Sequence, residues 1–293
     1  MSYAVEAANI RVQYKGFTAI DQISFQLTPG KIHGLIGRNG AGKTTLLSVL
    51  AAFRKVDTGS LTVEGEDPFE NPRIMQDTIF IFDQHKDLEY SYDKVGETLK
   101  EMAYFRPNYN ESYALYLAEK FKLPLNKKVN QLSKGKKSAF QAIIGLATRA
   151  PLTIFDEAYL GMDAPTREFF YNEILNDQEH HPRTIIFSTH LVSETDYLFD
   201  EVLMIHHGKV LLQDTSEQVI SKGFSITGSS EQVEDFTKEL EVLNSQVLGG
   251  TKSVMIYGEL SEQKRNAANQ AGLEIGPLSL HDLFVHLTKE EDE

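Results

Sequence analysis

The segment Gly37-Arg-Asn-Gly40-Ala-Gly42-Lys43-Thr44 constrains this chain more than any other. It satisfies the spacing G-x-x-x-x-G-K-T/S, and it stands between an apolar run, Lys31 to Ile36, and a helix-like stretch, Lys43 to Phe53. Each residue type has a physical reason. Glycines let a loop turn its amides inward and form a concavity for an anion. The helix that follows aims its positive end at the same point. A lysine then adds a full charge at the β- and γ-phosphates, and a threonine hydroxyl can ligate Mg²⁺. Strand, loop and helix in this order predict an α/β core that binds ATP with Mg²⁺.

Other segments fall into place around that loop. Ala8 to Tyr14 and Ile20 to Leu27 alternate apolar and polar residues, which predicts strands ahead of a Pro29-Gly30 turn. Leu152-Thr-Ile-Phe155 and Thr184-Ile-Ile-Phe-Ser188 are short apolar runs, as expected of strands buried on both faces of a parallel sheet. Ala164 to Asn176 reads as the crossover helix between them. The first run ends on two adjacent carboxylates, Asp156 and Glu157. A parallel sheet gathers its site at the carboxyl ends of its strands, so Asp156 is expected in the Mg²⁺ shell and Glu157 beside the attacking water. From Asp87 to Val129 the pattern is helical and rich in Tyr and Glu. After Gly223, a strand (Phe224 to Thr227), a helix (Glu231 to Leu243), a strand (Ser253 to Tyr257) and a helix (Glu262 to Ala271) are expected.

The expected fold is therefore α/β: a P-loop NTPase core with a parallel sheet, N-terminal antiparallel strands, an inserted helical subdomain at about 87–150, and a small C-terminal α/β appendage. The core domain is placed at 1–221 and the accessory domain at 222–293. The latter has 13 acidic against 6 basic residues and ends in the tail Lys289-Glu-Glu-Asp-Glu293.

Taken in order, these motifs resemble the ABC ATPase family over about residues 4 to 220. The resemblance implies nucleotide contacts from Gly37, Asn39, Gly40, Gly42, Lys43, Thr44 and Thr45. Tyr14, 29 residues before Lys43, stands where the family places an adenine-stacking aromatic, with Phe17 a rival for the role. Gln84, after Phe80-Ile-Phe-Asp, matches the Q-loop glutamine, which joins Thr44 and Asp156 as a Mg²⁺ ligand. Ser188-Thr-His190 matches the switch histidine. The catalytic set implied is Glu157, His190, Gln84 and Lys43. Leu132-Ser133-Lys134-Gly135-Lys136 is similar to the signature LSGGQ. Ser133 and Gly135 match it, and are expected to meet the nucleotide held by an opposite subunit. Lys134 and Lys136 depart from it, and either strengthen the pull on an anion or loosen the closed dimer by their bulk. Leu160-Gly-Met-Asp163 resembles the D-loop, with Ala158 in place of the usual proline. At the far end, Leu278-Ser-Leu-His-Asp-Leu-Phe-Val-His-Leu-Thr288 resembles the ending of bacterial exporter ATPases that handle drugs and antimicrobial peptides. Its apolar positions Leu280, Leu283, Phe284 and Leu287 fit one helix face.

Composition narrows the function. A net charge of −13 argues against a broad nucleic-acid surface, which needs clustered Lys and Arg. The absence of cysteine excludes disulfides and thiolate metal sites. The N-terminal stretch lacks the pattern of a signal peptide, and no run approaches the roughly 18 apolar residues of a spanning helix. The paired histidines His180–His181 and His206–His207 read as turn residues. The resemblance implies as partners an integral membrane permease and a second ABC ATPase subunit, in a homodimer or heterodimer, with the chain on the cytoplasmic face of the membrane. Tyr90, Tyr92, Tyr104, Phe105 and Tyr109 form either the docking surface for that permease or subdomain core. The competing reading is a soluble ABC ATPase acting on nucleic acid, ribosomes or cofactor assembly.

Overall fold

The N-terminal alternation folds as an antiparallel sheet. β1 (Val5–Tyr14) lies between β2 (Phe17–Leu27) and β4 (Thr58–Val63). The computed structural model of the chain describes residues 3–82 and 91–289; Gln84, Tyr90 and the end of the acidic tail lie outside them. The chain divides into two compact units, residues 1–190 with 203–211, and residues 191–202 with 212–293.

In the first unit, four apolar runs form the centre of a parallel sheet. β3 (Ile32–Ile36), β6 (Leu152–Asp156) and β7 (Thr184–Thr189) are buried along their whole length, and β5 (Thr78–Ile81) lies beside β6. With β8 (Glu201–His206) and β9 (Lys209–Thr215) the strand order is β5-β6-β7-β3-β8-β9. The register matters for function. Ile36 lies opposite Thr189, and Asp156 opposite Ser188, so three strands end at one level. The residues that follow them are Gly37, Glu157 and His190.

Helix α1 (Lys43–Leu50) leaves β3 through the glycine loop. Helix α2 (Pro72–Gln76) precedes β5. The helical subdomain is described from α3 (Val95–Phe105) through α4 (Glu111–Lys120) to α5 (Lys134–Thr148). Asn110 caps α4 by accepting from the Tyr113 N–H. Crossover helix α6 (Ala164–His180) is capped by Asp163, which accepts from Thr166 N–H, and carries Pro165 in its first turn.

A buried ion cluster ties the helical part to the sheet. The Asp177 carboxylate of α6 accepts from Arg183 Nη1 at 2.7 Å and from Arg149 Nη2 at 2.8 Å. Arg149 holds a left-handed turn at the end of α5 (φ 46°) and its guanidinium lies 4.9 Å from the ring centre of Tyr113 on α4. The Tyr113 hydroxyl donates to Glu173 on α6 at 3.0 Å. Burial pushes the Tyr113 pKa well above its usual value, so the phenol stays neutral.

In the second unit, β10 (Gly223–Ser229), α9 (Ser230–Thr237), β11 (Val242–Leu248), β12 (Thr251–Tyr257), α10 (Glu262–Gln270) and β13 (Glu274–Pro277) make a β-α-β-β-α-β unit. Its sheet order is β11-β12-β10-β13, antiparallel throughout. This is the split βαβ arrangement. Phe224, Ile226, Val254 and Ile256 of the sheet pack on Val233 and Ala268 of the helices. The helix expected over Glu231 to Leu243 ends at Thr237, and the chain turns into a strand at Val242 instead. The short helices α7 (Val192–Thr195) and α8 (Ser216–Ser221) also belong to this unit. Helix α11 (Leu280–Leu287) starts in a capping box made by Ser279 and Asp282 and buries Leu280, Leu283 and Phe284. No helix among the described residues is long and apolar enough to cross a membrane.

Candidate active site

The loop from Gly37 to Gly42 takes its shape from backbone constraints. Gly42 has φ 104°, a left-handed value, and a Cβ there would lie 2.7 Å from the Ala19 carbonyl oxygen. Only glycine fits both conditions. No side chain caps α1 and its first turn holds no acid, which leaves N–H groups directed at an anion. The Lys43 ammonium is buried and already oriented. It donates to the Gly37 carbonyl at 2.7 Å and lies 3.5 Å from Glu157 Oε1.

Next to it stand two polar pairs. Thr44 Oγ1 donates to Asp156 Oδ2 at 2.7 Å, while the buried Asp156 Oδ1 accepts no hydrogen bond. Burial pushes the Asp156 pKa up, against the opposing Thr44 bond. A hydroxyl and a carboxylate with an unused oxygen are the hard donors that suit Mg²⁺, so the residues present fit that ion. In the second pair, His190 Nδ1 lies 3.0 Å from Glu157 Oε1. A carboxylate can only accept, so Nδ1 carries the proton. Glu157 itself holds φ 49°, a strained value for a residue with a side chain.

Lys43, Thr44, Asp156 and Glu157 face a cleft of about 500 Å³. Phe17 and Ala19 line one side; Asn39, Gly40, Gly42, Lys43, Thr44 and Thr45 form the loop side; Asp156, Glu157 and Leu160 close it. Tyr14 is not part of that lining, and the Arg54 guanidinium lies over its ring at 4.3 Å. Phe17, the rival for the adenine, is on the cleft wall and exposed. Gly37 sits behind the loop, where a Cβ would lie 2.7 Å from the Ile205 carbonyl oxygen.

Ser133 and Gly135 are absent from the cleft lining and stand at the start of α5. That helix start is braced on the D-loop: a Cβ on Gly135 would lie 2.5 Å from the Gly161 carbonyl oxygen, and the Lys134 side chain covers Gly161. Lys136 donates to the Phe121 carbonyl at the end of α4. Both departures from the signature are therefore engaged within the chain. The Gln84 expectation lies outside the described residues.

One residue escaped the sequence reading. Tyr159 is buried, and its hydroxyl lies 3.1 Å from Thr189 Oγ1 and accepts from the His190 N–H at 3.4 Å. Burial is the main reason its pKa is pushed up to about 12. The phenol therefore stays neutral and positions the segment that carries His190. A single aromatic two places after Glu157 offers no sequence signal of this. Tyr159→Phe is expected to lower kcat about tenfold, the loss of roughly one hydrogen bond, with the KM for ATP unchanged. Steady-state kinetics check this, and a raised KM with normal kcat would contradict it.

The raised pKa of Asp156 has a sign that can be tested. Its folded pKa lies above the unfolded one, so its contribution to stability is present below the unfolded pKa and is lost as pH rises through the folded pKa. At neutral pH its charge destabilises the metal-free protein. Asp156→Asn should raise the unfolding midpoint of nucleotide-free protein at pH 7 by roughly 2–5 °C, yet abolish Mg²⁺-dependent hydrolysis. The stability difference should shrink as pH falls towards about 4. Calorimetry across pH would show it.

Strand-end carboxylates, a lysine-bearing glycine loop and an inserted helical part define a P-loop ATPase. Residues 20–160 match the family described as ABC transporter. It is 27% identical over 276 residues to the spermidine/putrescine import ATP-binding protein PotA of Nitrosospira multiformis, covering 93% of this chain and 74% of that one. It is also 27% identical over 304 residues to the Nod factor export ATP-binding protein I of Sinorhizobium fredii, covering 98% and 87%. Among solved structures, a dimeric ATP-binding cassette in a post-hydrolysis state bound to ADP and Pi shares the fold. It has a TM-score of 0.63 and 18% identity, with 72% of this chain and 98% of that one covered.

Proposed function

We propose that this ATPase is the motor of a membrane transporter and powers a separate integral-membrane permease. The observation that carries the reading is the cluster at three strand ends: the Lys43 ammonium, the Thr44–Asp156 pair and the His190–Glu157 pair, with Lys43, Thr44, Asp156 and Glu157 lining one cleft. Lys43 binds the triphosphate and offsets its charge. Thr44 and Asp156 would hold Mg²⁺, with Gln84 a further ligand in this reading, and the ion would supply Lewis-acid charge there. Glu157, fixed by His190, orients the attacking water and takes up its proton. Ser133 and Gly135 serve the nucleotide of a second ATPase subunit, a role suited to their place outside this chain's own cleft.

A docking place for the permease is a second cleft of about 330 Å³, lined by Phe53, Met75, Phe80, Arg106, Phe140 and Gln141. Phe53, Met75, Tyr92, Tyr104 and Phe105 are exposed apolar surface of the same unit, the kind a cytoplasmic helix of a permease would cover. In this reading the chain works on the cytoplasmic face, and the direction is export of drugs or antimicrobial peptides. Support for export comes from the Nod factor export relative, which matches almost the whole chain, and from the ending Leu278 to Thr288. The import relative covers nearly as much and marks the competing direction.

Affinity purification from detergent-solubilised membranes of the native host tests the proposal. A stoichiometric integral membrane protein should come with the chain. Recovery only with ribosomes or nucleic acid would overturn it.

A further inference from the structure

Gln141 stands in the middle of helix α5 and is 7% exposed, on a helix that also buries Phe140, Ala142, Ile143 and Leu146. A buried amide costs free energy unless its hydrogen bonds are made, and a leucine would fill a similar volume without that cost. Gln141 makes its bond to another element: Nε2 donates to the Phe82 carbonyl oxygen at 3.1 Å. Phe82 is the residue that leaves β5. Ile81, the last of that strand, lies opposite Phe155 of β6, so the next residues, Phe82 and Asp156, come at one level. Beyond the last ladder pair a carbonyl needs another donor, and α5 supplies it.

Phe82 lines the nucleotide cleft together with Asp156, Glu157 and Leu160. Its ring is held separately from its backbone. It stacks on Phe80, 4.7 Å between ring centres, and meets Phe53 edge-on at 6.0 Å. Phe53 follows helix α1, which begins at Lys43. The aromatic contacts place the side chain, and the Gln141 amide fixes the carbonyl. We propose that Gln141 is a positioning residue for ATP hydrolysis, pinning Phe82 so that the cleft wall beside Asp156 and Glu157 keeps its place. The effect falls on turnover rather than on binding. Phe82 stands with the carboxylates, whereas the loop and Lys43 form the phosphate side of the cleft. A misplacement of about 1 Å is enough to slow a reaction whose groups must align.

Variants of the full-length chain test this, each read by thermal melting, nucleotide affinity and turnover. Gln141→Met keeps the length of the side chain without a donor. Gln141→Glu keeps its shape and polarity, but at about pH 8 a carboxylate only accepts. Both should lower kcat about tenfold, the loss of roughly one hydrogen bond, while the dissociation constant for Mg·ATP stays within about twofold. Gln141→His restores an N–H at a similar reach from the backbone. Gln141 borders the second cleft, which leaves room for the ring, so this variant should recover most of the turnover. A role in packing or polarity alone would spare Gln141→Glu, the closest in shape, over Gln141→Met. Wild-type kcat in either donor-free variant, a fall in kcat matched by an equal loss of nucleotide affinity, or a Gln141→His variant as slow as Gln141→Met would each overturn the assignment.

Discussion

Replacing Glu157 by Gln should lower ATP turnover by about 10²–10⁴-fold, the range of a lost general base, while ATP still binds. The amide keeps the size of the carboxylate and its oxygen can still accept from His190 Nδ1, now 3.0 Å from Oε1. What is lost is the negative charge that draws a proton from water. Binding survives because the triphosphate is held by the loop and by Lys43, which keeps its bond to the Gly37 carbonyl in the variant. A bound but uncleaved nucleotide should then hold two cassettes together, so the variant should accumulate as an ATP-dependent dimer. Undiminished turnover would remove Glu157 from its role. Sedimentation with and without ATP would show whether this dimer depends on the nucleotide.

The second large effect is on stability. Asp177→Ala should destabilise the first unit by about 3–5 kcal/mol, lowering its midpoint on the order of 10 °C. Asp177 and Arg183 are each 2% exposed, so bulk solvent screens the guanidinium little once the carboxylate is gone. Burial already depresses the Arg183 pKa, with Asp177 as the opposing influence. Removing that influence leaves an uncompensated buried charge. The double variant Asp177→Leu with Arg183→Met removes both charges and should recover most of the loss. Equal destabilisation of the single and double variants would show that packing, and not charge pairing, governs the cluster.

The core of the site was legible because its chemistry is tied to short spacings. A glycine loop needs its lysine and threonine at fixed offsets, and a strand-end carboxylate needs only an apolar run before it. The register of β3, β6 and β7 then brings Lys43, Asp156, Glu157 and His190 together, as the fold class implied. Features fixed by distant contacts were not legible. Arg54 covers Tyr14 from 40 residues away, and Tyr159 reaches His190 through a bond 31 positions apart. Strand β11 was missed for a local reason: Val242-Leu-Asn-Ser-Gln-Val-Leu lacks clean alternation, so the helical period of α9 was carried into its first two residues. The overlooked signal was Gly249-Gly250, a hairpin turn with Gly249 at φ 61°.

Equilibrium titration of Mg·ATP into wild type and Lys43→Ala tests the phosphate site most directly, with circular dichroism confirming that both are folded. Loss of a charge-assisted contact buried beside the loop should weaken binding on the order of a hundredfold. An unchanged dissociation constant would contradict a triphosphate held between Lys43 and the strand end at Asp156.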